Sequence, residues 1–143
     1  MRFAVLGSGS GGNSTVVESE GKYLLVDAGL SAKQLGLRLE ALGVSPKQLT
    51  GILLTHEHGD HVRGLDVFLR KWRVPIVASV MTGRVVQEEL RQEAEWVAFE
   101  GGQQFSWEGF EIGTFPLPHD AVEPVGYVIS KGERRIGVAT DLG

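Results

Sequence analysis

A chain of 143 residues with 42% apolar side chains suits one domain with a real core, and its lack of cysteine excludes disulfide scaffolds, thiolate metal sites and cysteine nucleophiles together. The net charge of -4 argues against a protein that coats nucleic acid through overall charge. Residues 1–8 are too short an apolar run for a signal peptide and no later stretch approaches a membrane span, so the expected location is the cytoplasm.

Residues 2–6 read as a short buried strand, followed by the loop Gly7-Ser8-Gly9-Ser10-Gly11-Gly12-Asn13-Ser14. Its glycines let backbone N–H groups approach a ligand, and Ser8, Ser10 and Asn13 add side-chain hydrogen bonds, so an anionic substrate group can sit there. No Gly-Lys-Ser/Thr follows, so this is not a P-loop, and a plain turn explains the loop equally well. Residues 14–18 and 22–26 form a hairpin around Ser19-Glu20-Gly21, ending at Asp27, a turn-former or a site residue. Ser31-x-x-Gln34 is a capping box, and Leu35, Leu39 and Leu42 give a helix stopped by Gly43.

Residues 51–55 have no polar alternation, which predicts a strand buried on both faces, as at the centre of an α/β sheet. A helix from Val62 carries Leu65, Phe68, Leu69 and Trp72; a strand over 74–78 and a helix over about 82–94 follow. Across 63–91, Arg63, Arg70, Lys71, Arg73, Arg84 and Arg91 outnumber Asp66, Glu88 and Glu89, which reads first as solvated helix faces and second as a local basic track. After Glu95 short strands over 96–99, 104–107, 110–115, 125–130 and 135–140, separated by Gly-rich turns, predict an antiparallel meander.

The chemistry is concentrated in His56-Glu57-His58-Gly59-Asp60-His61, between the 51–55 strand and the next helix. At this chain's residue frequencies H-x-H-x-D-H would arise by chance in about one sequence in ten thousand of this length. In an extended segment residues two apart share a side, so His56 and His58 can grip one ion, while Asp60 and His61 can swing back to hold a second. The one remaining histidine, His119, between Pro118 and Asp120, is the candidate third ligand of the first ion. Asp141, at a strand end, is either a bridging carboxylate or a turn aspartate. Nitrogen and oxygen ligands favour Zn and admit Mn or Fe. Two such ions, roughly 3.5 to 4 Å apart, would supply a metal-bound hydroxide for attack on a phosphodiester or ester. Asp60 and His119 are therefore catalytic candidates as well as ligands, Asp60 as the group that orients that water or accepts its proton.

Thr55-His56-Glu57-His58-Gly59-Asp60-His61, with Asp27, His119 and Asp141, resembles the signature of the metallo-β-lactamase superfamily, and Ser8-Gly9-Ser10-Gly11-Gly12-Asn13 with Val26-Asp27-Ala28-Gly29-Leu30-Ser31 resembles its YycJ/WalJ branch of phosphodiester or DNA hydrolases. The resemblance implies an α/β fold of the αββα sandwich type, with residues 1–143 as one incomplete domain holding the N-terminal half and the start of the second. It implies a first metal on His56, His58 and His119, a second on Asp60 and His61, Asp141 bridging, Asp27 bracing the ligand loops, and Ser10 and Asn13 beside the substrate phosphate. Members of the family continue past the bridging aspartate and supply a further histidine, whereas this sequence ends two residues after Asp141. The expectations are a second ion weakened or missing, and an apolar sheet face covered by a second copy or by missing residues. The predicted activity is a metal-dependent phosphodiesterase or nuclease. The alternatives are a thioester or other acyl-ester hydrolase, and an impaired half-domain that binds metal or a partner chain.

Overall fold

The computed structural model describes residues 1–139, so Asp141 lies outside the described residues. Strands β1 (Arg2–Gly7), β2 (Ser14–Ser19) and β3 (Lys22–Val26) form an antiparallel meander. Helix α1 (Ala32–Ala41) then crosses to β4 (Leu49–Leu53), α2 (Gly59–Val62) and α3 (Leu65–Lys71) to β5 (Ile76–Ser79), and α4 (Val80–Glu89) to β6 (Trp96–Phe99). These six strands make one sheet in sequence order, with β3 through β6 parallel. Strands β7 (Gln104–Trp107), β8 (Phe110–Pro116), β9 (Val125–Lys131) and β10 (Arg134–Val138) form a second, antiparallel sheet, ordered β10-β9-β8-β7.

The unbroken apolar runs of β3 and β4 follow from two cores served by one sheet. Leu25, Ile52 and Leu54 point to the helix side, packing with Leu35, Leu39, Leu65, Phe68 and Val86. Their chain neighbours Leu24, Val26 and Leu53 point the other way, onto Phe110, Ile112, Tyr127 and Ile129 of the second sheet. The described part is thus helices, sheet, sheet, as the αββα expectation requires. The exposed apolar surface at the sheet edge is narrow: Phe3 and Val5 of β1 are 59% and 58% exposed, over a crevice shared with Ile136 and Val138 of β10. Among the described residues no helix is long and apolar enough to cross a membrane.

Several expectations need correction. Residues 96–99 belong not to the antiparallel meander but to the first sheet, where β6 runs parallel to β5; the α4 crossover delivers them there. The helix expected from Val62 is two pieces, because Gly64 gives its N–H to Ala28 O and lies too close to Leu30 O for a side chain. Helix α4 stops at Glu89 rather than near Ala94, since the Gln87 amide draws the chain back by bonding Gln92 O, Ala94 N and Trp96 Nε1. Leu42 is not on the apolar stripe of α1 but caps it, half exposed.

Candidate metal centre

The motif lies where the chain leaves the first sheet for the second. Leu54 N–H still bonds Val77 O of β5, yet the next carbonyl, Thr55 O, accepts from Val125 N of β9. Residues 54–58 are thereby stretched across the seam between the sheets. His56 and His58 project from this extended stretch, and Asp60 and His61 fall in α2. Tyr127 fixes the seam from the other side: its hydroxyl donates to Leu54 O at 2.6 Å, and burial raises its pKa well above the usual phenol value, so it remains a donor.

The β8–β9 loop brings in His119. Its Nε2 lies 3.2 Å from His58 Nδ1, and one ring nitrogen each from His56, His58 and His119 lie within 4.8 Å of one another. The three rings meet edge-on, with centroids 4.7 to 5.0 Å apart. Two nitrogens bound to one tetrahedral ion at the usual zinc distance would lie about 3.3 Å apart. The His58–His119 spacing fits that, and three imidazole nitrogens are an ordinary donor set for a divalent metal.

Asp27 organises the ring orientations. It is buried, with a φ of 63° that Asp tolerates better than most side chains. Its Oδ1 accepts Thr55 N–H at 2.8 Å and its Oδ2 accepts the Thr55 hydroxyl at 2.7 Å. The same Oδ2 lies 2.6 Å from His61 Nδ1. Thr55 Oγ1, having donated its proton to Asp27, accepts from His56 Nδ1 at 2.9 Å. One carboxylate therefore places the proton on Nδ1 of both His56 and His61, leaving each Nε2 as the nitrogen suited to a metal. Burial, reinforced by His61, pushes His56 down to about 4, which holds it in the neutral form that a metal would require.

Asp60 and His61 form a pair beside the triad. Asp60 Oδ2 is 3.6 Å from His61 Nε2, and the His56 and His61 rings are 4.0 Å apart. Among the described residues this pair gains no third protein ligand of its own.

Asn13, expected at the substrate, is taken up by the site's own framework. Its Nδ2 reaches Asp60 O, Asp60 Oδ2 and His61 Nε2 at 3.2 to 3.3 Å, and its backbone N–H donates to Asp60 O. Ser10 sits exposed on the loop rim. Of the basic track, Arg63 is tied to that loop, donating to Gly11 O at 3.2 Å, while Asp66 engages Arg70 and the backbone N–H of Arg91. Sequence reasoning missed Gly29. A Cβ there would stand 1.8 Å from Asp60 O and 2.7 Å from Asn13 N, so three segments meet backbone to backbone where only hydrogen fits. The Gly before the leucine in Asp27-Ala28-Gly29-Leu30 was the available signal.

The sequence pattern described as the metallo-beta-lactamase superfamily matches residues 7–143. The exodeoxyribonuclease YycJ of Bacillus anthracis is 34% identical over 146 aligned positions, covering 100% of this chain and 55% of that protein. The exodeoxyribonuclease WalJ of Streptococcus pneumoniae serotype 2 is 34% identical over 147 positions, with the same coverage. The chain thus spans about half the length of these curated relatives. The crystal structure of the metallo-beta-lactamase fold protein YhfI from Bacillus subtilis superposes with a TM-score of 0.78 at 21% identity, covering 94% of this chain and 59% of that one.

Proposed function

The chain belongs to the metallo-beta-lactamase superfamily, and from that membership we propose that it forms the metal-binding part of a metal-dependent nuclease or phosphodiesterase. The observation that carries the reading is the convergence of His56, His58 and His119 on one point, with Asp60 and His61 beside it. The exodeoxyribonuclease activity by which the two relatives are named supports a nucleic-acid substrate over an acyl ester. A cytoplasmic location accords with such a substrate.

His56, His58 and His119 would hold a first divalent ion, and Asp60 and His61 a second, with Asp141 as the proposed bridge. The all-nitrogen and oxygen donor set favours zinc, with manganese or iron acceptable to the same atoms. When bound, the metal acidifies a water and draws charge from the phosphoryl oxygens. Asp60, half-buried and adjacent to His61, orients that water and accepts its proton. As the water oxygen bonded to phosphorus, the P–O bond to the leaving nucleoside would break, and the leaving oxygen would take the proton that Asp60 had accepted. Ser10, exposed on the loop rim, would meet the substrate phosphate, and Asn13 keeps Asp60 and His61 in place.

The test measures bound metal per chain and then turnover of bis-p-nitrophenyl phosphate, a thioester and single-stranded DNA with Zn2+ or Mn2+. Metal-dependent cleavage of the phosphodiester and of DNA is expected. His58→Ala should remove about 4 kcal/mol of transition-state stabilisation, roughly a thousandfold in rate. Turnover that survives His58→Ala would refute the mechanism, preference for the thioester would reassign the substrate, and stoichiometric metal without turnover would leave a binding half-domain.

A further inference from the structure

Residues 117–124 carry His119, the only member of the triad that comes from the second sheet, with Leu117 buried at the start of the segment. Leu117 N–H to Pro124 O closes its base, and Ala121 N–H to His119 O is a local turn. Among the described residues, its hydrogen bonds to the rest of the protein outside the triad run through two glutamates. Glu123 holds the far end: its Oε1 accepts Met81 N–H at 3.3 Å at the start of α4, where the capping serine, Ser79, makes no cap bond and donates to Glu123 O instead. A carboxylate suits that helix end. Glu57 holds the near end: its Oε2 accepts Val122 N–H at 3.0 Å, three residues from His119.

Glu57 is an unusual place for a tether. It stands between His56 and His58, so the same extended stretch offers two ligands on one side and this carboxylate on the other. Its Oε1 is buried and has no hydrogen-bond partner among the described residues. Fold stability alone does not favour a half-satisfied buried carboxylate, because the unpaired oxygen gives up solvation for nothing. We propose that Glu57 is the positioning residue for His119, clamping the 117–124 loop through Val122 N–H so that His119 Nε2 stays within reach of the His56–His58 pair. This rests on the metal reading above.

The clamp predicts a pattern across variants rather than a single loss. Glutamine keeps both the reach and an accepting oxygen, whereas aspartate keeps the charge and loses the reach. Binding of Co2+ to the metal-free chain, followed by its visible absorption, reads ligand geometry directly. Glu57→Ala and Glu57→Asp should each weaken Co2+ by about tenfold, the usual effect of removing a support of a ligand. Glu57→Gln should stay within about threefold of the parent. In a His119→Ala background, Glu57→Ala should cost nothing further, since the residue acts through His119.

Equal losses in the Gln and Ala variants would overturn the clamp in favour of charge, as would an additive loss in the double variant. Unchanged Co2+ affinity in the Ala and Asp variants would also overturn it. If Glu57→Ala fails to fold, the Gln–Asp comparison decides alone. A His119→Ala chain that binds Co2+ as tightly as the parent would instead refute the metal reading on which the clamp depends, so the two failures are distinct.

Discussion

Replacing Asp27 with asparagine isolates the chemistry of the carboxylate, because asparagine shares aspartate's tolerance for the left-handed backbone observed there. The carboxylate accepts three hydrogen bonds: Thr55 N–H on Oδ1, and the Thr55 hydroxyl and His61 Nδ1–H on Oδ2. The amide has only one accepting oxygen. Its cheaper orientation turns the NH2 toward Thr55 N–H, which leaves two donors facing each other at a buried position. An orphaned buried donor costs about 1–3 kcal/mol, and the two surviving bonds lose their charge assistance, about 1 kcal/mol each. The sum is roughly 3–5 kcal/mol, a large share of a typical domain's stability. In the other orientation His61 loses its Nδ1 acceptor, with an expected 10- to 100-fold loss of metal affinity. Urea unfolding of the metal-free variant and Co2+ titration measure the two effects. A variant within 1 kcal/mol of the parent and equal to it in metal affinity would refute Asp27 as the common support of both histidines.

Three further outcomes are expected. His56, pushed down to about 4 in the fold by burial and by His61, titrates near 6.5 when unfolded, so its contribution is fully present above about pH 6.5 and is lost as pH falls toward 4, roughly 3 kcal/mol in all. Urea midpoints of the metal-free chain at several pH values read this, and a His56→Asn chain with the same pH slope would contradict it. Gly29→Ala forces a Cβ into the Asp60 backbone and should cost about 3 kcal/mol or more with loss of metal binding. Gly36→Ala, in open space on α1, should stabilise by about 0.5–1 kcal/mol; thermal melting separates the two, and equal effects would refute the packing argument.

Much of the architecture was legible because one sheet serves two cores. The unalternating runs at 22–26 and 51–55 reflect that directly: Leu24 and Leu53 face the second sheet, Leu25 and Ile52 the helices. The partner of β6 was not legible, since Trp96–Phe99 has a strand's composition and nothing local records that α4 returns it parallel to β5. The motif named His56, His58, Asp60 and His61 as ligand candidates, and scarcity named His119, the only histidine left. The bracing residues carried no such signal. Thr55, Glu57 and Asn13 act through bonds to segments up to 65 residues away in sequence.

The position of the site follows from the same division of the core. A strand buried on both faces cannot present a polar side chain until it leaves the sheet, and β4 leaves at Leu53 with the second sheet directly opposite. Thr55 O is already bonded to β9 and Tyr127 to Leu54 O. His56 is therefore completely buried at the seam, while His58, two residues further along, is only half-buried. A buried imidazole is a poor proton carrier but a well-oriented ligand, and a half-buried one is reachable by substrate. The triad is thus graded from inside to outside, with His119 closing it from the opposite sheet. Any change that separates the two sheets at Leu54–Thr55 should be felt first as lost metal affinity and only later as unfolding, because one proposed ligand, His119, lies on the far side of that seam.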